Sequence, residues 1–394
     1  MTLLLYRKTK ELRPFLFLFI TILLGFFPGK AGAYEVPLVR GSRLNIPETW
    51  VLTGEDKSRP CWFSPDSRGA VEAMFWEPGT WTDMQTFADD VRPENAQGQI
   101  IAFPCWGGKA ALADWTFTLS GETFRGWFLL VLDAGVNIRL SAFAADEDFS
   151  EMQPFLLSVL DSYSPGPRET LSPGAVSRFM EFSSPEYGKT GQIINSSFQG
   201  QNISWNNSLA AAEASQKLIE REAAVLSAYA GIPEIFYPAW KRYYRMVYRD
   251  TYSRLAPLAE ALNNGPLPQA SAEPEQAAKE ILSWLQGFSY GSIESVSGLL
   301  SPVTACSSAT GDCDSLVLAL LVLLDRYNVP GLMLLSHQAH HAIAALQIPG
   351  KGFRYVDEEG SWLAAELTTA LPPGSLPERL NGVSDWFAVN FSYE

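Results

Sequence analysis

The sequence predicts an α+β protein: an N-terminal antiparallel-sheet α/β sandwich, a helical connecting region, and a second α+β unit toward the C-terminus. Three observations predict it. Short apolar and aromatic runs at 99–103, 115–119 and 124–133 alternate with turn formers, as strands do. Residues 208–229 have alanine-rich helical composition. Nine consecutive apolar residues at 316–324 are followed by strand-like runs at 331–336 and 342–348. At 394 residues the chain is too long for one ordinary core. With 47% hydrophobic residues and no low-complexity tract, it is globular in composition.

Taken in order, the N-terminus reads as a leader. Arg7, Lys8, Lys10 and Arg13 precede an apolar run at 15–27, and Ala31-Gly32-Ala33 offers a cleavage site before Tyr34. The run is shorter than the roughly 20 apolar residues that cross a bilayer. The expectation is an exported chain, periplasmic or extracellular after cleavage near Ala33, with no stable membrane insertion. Removing 1–33 takes away five basic residues and one acidic, so the formal charge moves from −14 to about −18. Such a surface repels nucleic acid, which is set aside as a partner.

Export places Cys61, Cys105, Cys306 and Cys313 in an oxidising compartment. Four cysteines allow three pairings, and sequence does not choose among them. Cys61 and Cys105 share the N-terminal region and are expected to pair; Cys306 is a candidate partner of Cys313.

Turn-rich segments at 162–174 and 263–274 divide the chain. The expected organisation is a leader at 1–33, an α+β unit at 34–165, a connecting region at 175–265 belonging to the C-terminal unit, and a site-bearing domain at 266–394. Residues 152–163 read as a helix closing the first unit. Trp50, Trp62, Trp76, Trp81, Trp106, Trp115 and Trp127 are expected to build its core, the alternative being a stacking platform for sugars or peptides. In the connecting region a second helix is expected at 240–262. Arg242, Arg245 and Arg249 fall close to one stripe of it, placed to pair with the protein's own acids or to receive an anionic substrate.

The opening Leu44-Asn45-Ile46-Pro47-Glu48-Thr49-Trp50 and the closing Leu157-Ser158-Val159-Leu160-Asp161-Ser162-Tyr163 resemble the ends of Mog1/PsbP-like domains. That resemblance implies an antiparallel sheet flanked by helices, acting as an accessory or interaction module.

The chemistry concentrates near the C-terminus. In Gly311-Asp312-Cys313-Asp314-Ser315, Asp312 is a plausible N-cap and Cys313 falls in the first helical turn. There, unpaired N–H groups and the helix dipole favour a thiolate. The run at 316–324 is apolar all round, so the helix that carries Cys313 must be buried. All three histidines lie between 337 and 341, and His341 opens the strand at 342–348. A histidine there suits the role of general base. Glu366 sits in an otherwise apolar strand-like run, where a carboxylate requires a partner such as an imidazolium. Asp357 is its rival, placed in the turn Asp357-Glu358-Glu359-Gly360. The cysteine and histidine spacing fits no common zinc motif, so no metal or cofactor is expected.

Cysteine, then histidine opening a strand, then Glu366-Leu367-Thr368 in a later strand resembles the transglutaminase-like superfamily, of the bacterial transglutaminase-like cysteine protease type. The resemblance spans roughly residues 275–370. It implies a papain-like α+β domain with Cys313 as nucleophile, His341 as base and Glu366 as orienter. Trp284-Leu285-Gln286-Gly287-Phe288-Ser289-Tyr290 resembles the segment preceding the family cysteine, which makes Gln286 a candidate oxyanion donor. Glutamate replaces the commoner aspartate, and His340 duplicates the histidine as an alternative base. The expected function is an exported cysteine hydrolase or acyltransferase acting through a Cys313 thioester on amide bonds of proteins or peptidoglycan stem peptides. The alternative is a catalytically silent binding or assembly protein of the cell envelope.

Overall fold

A computed structural model describes residues 34–53, 59–132, 135, 137–267 and 274–391, so the expected leader at 1–33 lies outside the described residues. The chain is α+β. A small hairpin, β1 (Tyr34–Pro37) and β2 (Arg43–Ile46), opens it. β3 (Val51–Thr53), β4 (Cys61–Phe63), β5 (Gly69–Trp76), α1 (Met84–Val91), β6 (Gln97–Cys105), β7 (Gly108–Leu119), β8 (Glu122–Leu132), β9 (Asn137–Ala145), α2 (Phe149–Ser162) and α3 (Ala175–Phe182) follow. The runs expected as strands at 99–103 and 115–119 lie in β6 and β7, residues 124–132 of the third lie in β8 with 133 outside the described residues, and the expected closing helix is α2.

The seven strands form one antiparallel sheet in the order β3-β4-β5-β9-β8-β7-β6. Side chains alternate across it. Ala110 and Leu112 of β7 pack in the layer that holds Leu156, Val159 and Leu160 of α2 and Ala175 and Val176 of α3. Ala111, Ala113 and Trp115 of the same strand pack with Phe87 and Val91 of α1. Helices thus cover both faces. α3 belongs to this N-terminal core, although residue 175 was expected to begin the connecting region. Trp50, Trp62 and Trp115 are core residues at 3%, 0% and 1% exposure, while Trp76, Trp81, Trp106 and Trp127 pack as its margin.

The strand order separates the two N-terminal cysteines. Cys61 lies on β4 and Cys105 ends β6, with β5, β9, β8 and β7 between them. Five interstrand spacings put them roughly 24 Å apart, far beyond the reach of a disulfide. The expected Cys61–Cys105 pair is not formed, and all four cysteines are free. The thermal midpoint is therefore expected to be the same with and without reductant; a midpoint that reductant lowers would reveal a bridge.

The rest of the chain runs through the hairpin β10 (Gln192–Phe198) and β11 (Gln201–Asn207), then α4 (Leu209–Ser227), α5 (Pro233–Arg254), α6 (Ala256–Asn263) and α7 (Pro274–Leu285). β12 (Ser289–Tyr290), α8 (Pro302–Ser308), β13 (Thr310–Gly311) and α9 (Cys313–Asp325) come next. β14 (Gly331–Ser336), β15 (His341–Leu346), β16 (Arg354–Asp357), β17 (Gly360–Ala365) and β18 (Phe387–Asn390) complete an antiparallel sheet in the order β16-β17-β15-β14-β18. The helix expected at 240–262 is two. Pro233 starts α5 seven residues earlier, and the turn at Leu255, with Pro257 just beyond, separates α6. All nine residues at 316–324 of α9 are buried, in the core that also holds Met333, Leu335, Ala342 and Ala344 of the sheet. Among the described residues no helix is long and apolar enough to cross a membrane.

Candidate active site

Gly311 and Asp312 set the position of Cys313. The Asp312 carboxylate accepts from the Ser315 N–H at 2.8 Å, and the Ser315 hydroxyl accepts from the Asp312 N–H at 2.9 Å. This reciprocal cap starts α9 at Cys313. A side chain at Gly311 would come within 2.8 Å of Ser315 Oγ and 2.9 Å of a Leu316 methyl, so the glycine is required by the cap itself.

β15 supplies the second member. The strand packs against α9, and the Ala342 main chain at its start lies close enough to the Cys313 sulfur to favour the thiolate slightly. His341, immediately before Ala342, is 8% exposed. Its position is pinned by the turn before it: Ser336 Oγ donates to Asp385 at 2.5 Å, and the same carboxylate accepts from the Gln338 N–H at 2.8 Å. His340 occupies that turn at φ +45°. It is exposed, with its ring 5.4 Å from that of His337, and does not share the buried position of its neighbour.

Glu366, just beyond β17, is 1% exposed. One carboxylate oxygen lies 2.8 Å from His341 Nε2, and the other accepts from both the N–H and the hydroxyl of Thr368 at 2.7 Å. Burial alone would raise its pKa, but the hydrogen bonds from His341 and Thr368 outweigh it and hold the carboxyl below its usual range. An ionised carboxylate only accepts, so Nε2 carries the proton and Nδ1 is left as the basic nitrogen. Asp357 has another task. It accepts from the N–H groups of Glu359 and Gly360 and from the Trp362 indole, closing the β16–β17 turn.

Gln286 departs from the expected role. Its amide nitrogen donates to the carbonyls of Glu366 and Leu371, each at 2.8 Å. The side chain therefore braces the segment that carries Glu366, and its donors are engaged away from an oxyanion.

The sulfur environment also differs from the expected thiolate. Burial, and next the Asp314 carboxylate, push the Cys313 thiol well above its ordinary value, against the smaller effect of the Ala342 N–H. Cys313 Sγ donates to Asp314 Oδ1 at 3.5 Å, and Tyr244 of α5 donates to Asp314 Oδ2 at 3.1 Å. Sequence reasoning missed both Asp314 and Tyr244. An acid directly following the cysteine was the available signal for the first, whereas Tyr244 arrives from 70 positions away. Cys306 is 3% exposed within the helical core, where burial pushes its thiol up to about 12, and it is not bonded to Cys313.

A cleft of about 730 Å³ lies elsewhere, between β2, α5 and the β16 and β18 strands. It is lined by Arg242, Arg245 and Arg249, but these cations are engaged internally: Arg242 with Glu222, Arg249 with the carbonyls of Asp161, Ser162 and Tyr163, and Arg245 with the Asn390 carbonyl. Arg242 thus pairs with an acid of the protein as expected, whereas Arg245 and Arg249 donate to main-chain carbonyls.

No family model matches the chain, and no curated protein matches it. Among solved structures, the chain is similar to cyanobacterial PsbP (CyanoP) from Synechocystis sp. PCC 6803, at 11% identity over 35% of this chain and 94% of that one, with a TM-score of 0.28. The Ran-binding protein Mog1p of Saccharomyces cerevisiae matches at 10% identity over 31% of this chain and 82% of that one, with a TM-score of 0.24. A Pseudomonas aeruginosa protein of unknown function, PA94, described as a putative regulator, matches at 13% identity over 34% of this chain and 99% of that one, with a TM-score of 0.25. Likeness at this level says nothing about activity.

Proposed function

We propose that the chain is an exported, transglutaminase-like cysteine hydrolase or acyltransferase that cleaves or exchanges amide bonds of proteins or peptidoglycan peptides. The observation that carries the reading is the buried His341–Glu366 pair, 2.8 Å long, at the start of a strand packed against the helix that Cys313 begins. His341 Nδ1 takes the thiol proton as the sulfur attacks the substrate carbonyl, and the same proton then passes to the departing amine. The product is a thioester on Cys313. Water attacks it to give a carboxylic acid, or a second amine attacks it to give a new amide. With Gln286 engaged, the Cys313 main-chain N–H at the helix start is the donor offered to the oxyanion.

The second reading is a silent binding or assembly protein of the cell envelope, favoured by the thiol hydrogen bond to Asp314 in place of His341. Labelling separates the two. A small haloacetamide at mildly alkaline pH is expected to modify Cys313 and leave buried Cys306 untouched, as read by peptide mass spectrometry, and His341→Ala is expected to slow that modification. A Cys313 that never reacts in folded protein would overturn the catalytic reading.

A further inference from the structure

The carboxylate that follows the nucleophile occupies a position the triad does not explain. Asp314 is the second residue of α9, where a negative charge meets the unpaired N–H groups of the helix start. Its two oxygens point to different elements: Oδ1 to the Cys313 sulfur at 3.5 Å and Oδ2 to the Tyr244 hydroxyl at 3.1 Å. Tyr244 is itself buried in the helical core at 4% exposure, so the donor that fixes Asp314 is rigid.

We propose that Asp314 is a positioning residue that holds the Cys313 thiol protonated and turned from its base until substrate arrives, with Tyr244 fixing the carboxylate in that role. The assignment rests on Cys313 being the nucleophile. In the resting state the S–H donates to the Asp314 carboxylate. In the reacting state the same proton moves from sulfur to His341 Nδ1, while the sulfur forms its bond to carbon. A carboxylate beside sulfur opposes the thiolate by like charge, and a neutral Asp314 does not.

Tyr243 and Tyr244 face Asp314 from α5, Asp312 and Cys313 from its own helix start, and His341 from β15, while the Tyr290 hydroxyl at the end of β12 feels its charge. Burial, and then the charge of Asp312, raise the Asp314 carboxyl to about 6, against the hydrogen bonds from Tyr244 and Cys313 and the charge of His341. Asp314 therefore changes charge close to neutrality. Reactivity of the sulfur, corrected for its own titration, rises as Asp314 takes up its proton.

The test follows the sulfur itself and needs no substrate. Haloacetamide alkylation of Cys313 is measured against pH in the full chain, its Asp314→Asn, Asp314→Glu and Tyr244→Phe variants. Asp314→Asn is expected to lower the apparent thiol pKa by about one unit, raising alkylation at neutral pH about tenfold. Asp314→Glu keeps the charge and is expected to stay slow. Tyr244→Phe removes only a donor to the carboxylate, so Asp314 protonates at higher pH and alkylation near neutrality rises by roughly two- to fivefold. This milder variant serves if Asp314→Asn fails to fold. Equal alkylation rates in the wild type and the folded variants would overturn the Asp314 assignment and leave the nucleophile reading standing. A Cys313 unreactive in every variant, with undiminished biological activity in Cys313→Ala, would overturn both.

Discussion

Cys313→Ala is expected to abolish turnover, and Glu366→Gln to reduce it by about 10³–10⁴-fold while leaving the thiol in place. The glutamine result follows from the donors around Glu366. Thr368 gives two hydrogens to one carboxylate oxygen, and His341 Nε2–H gives one to the other. A glutamine has one oxygen, and two donors from Thr368 claim it. Its NH₂ then faces Nε2, which must become the acceptor, so the proton moves to Nδ1. The base is lost through the wrong tautomer, although every atom remains near its place. Such a change lowers kcat far more than it raises KM, because orientation of the base matters in the transition state. A Glu366→Gln enzyme retaining a tenth of wild-type kcat would remove Glu366 from the mechanism.

The same carboxylate sets an acid limit. Its folded pKa lies below its unfolded value, so the stability it contributes is fully present above the unfolded pKa and is lost as pH falls through the folded one. Asp314 has the opposite sign. Its folded pKa, raised to about 6, means that its ionisation costs stability as pH climbs from the ordinary carboxyl range through that value. The site thus holds one acid that neutral pH favours and one that it strains.

How much of this was legible depended on how local each signal was. The helix start at Cys313 was readable because cap, cysteine and apolar run are contiguous. The strand after His341 and the buried Glu366 followed from one-dimensional patterns of apolar residues. The β10–β11 hairpin carried a signal that went unread: Ile194, Phe198, Ile203 and Trp205 are its buried apolar positions, around a Gln199-Gly200 turn with φ of +50° and +77°. Other features had no local signature. The cysteines at 61 and 105 looked like partners because both lie in one unit, but strand order in a sheet is a property of the whole topology. Gln286 stood where an oxyanion donor was expected, and its actual acceptors are carbonyls 80 and 85 positions away. Long-range hydrogen bonding of that kind leaves no periodicity in the chain.

The arginine stripe of α5 leads to the largest expected stability effect. Arg242 donates to Glu222 at 2.8 Å, to Ser158 of α2 at 2.7 Å and to Asn45 of β2 at 3.1 Å. Glu222 also pairs with Arg221, which reaches Asp161 of α2 at 2.6 Å, and Asp161 accepts from Ser177 of α3. Two cations and two carboxylates are thus interlocked where the N-terminal sheet unit meets α4 and α5, and both carboxylates are at 1% exposure or less. Breaking one partner of a buried pair leaves an uncompensated charge, which costs about 3–5 kcal/mol, whereas removing both costs much less. Glu222→Gln keeps the shape, removes the charge, and leaves Arg221 and Arg242 facing Asp161 alone. It is expected to lower the unfolding free energy by that margin, read as a lower denaturant midpoint, and the Glu222→Gln/Arg242→Met double variant to recover part of the loss, a coupling that a double-mutant cycle reads directly. A wild-type midpoint for Glu222→Gln would mean that the network does not bind the two parts. The consequence reaches the site, because α5 carries Arg242 on one side and Tyr244 on another. A loosened network frees the helix that fixes Asp314, so Glu222→Gln is expected to raise Cys313 alkylation as well, in a variant that touches no residue of the triad.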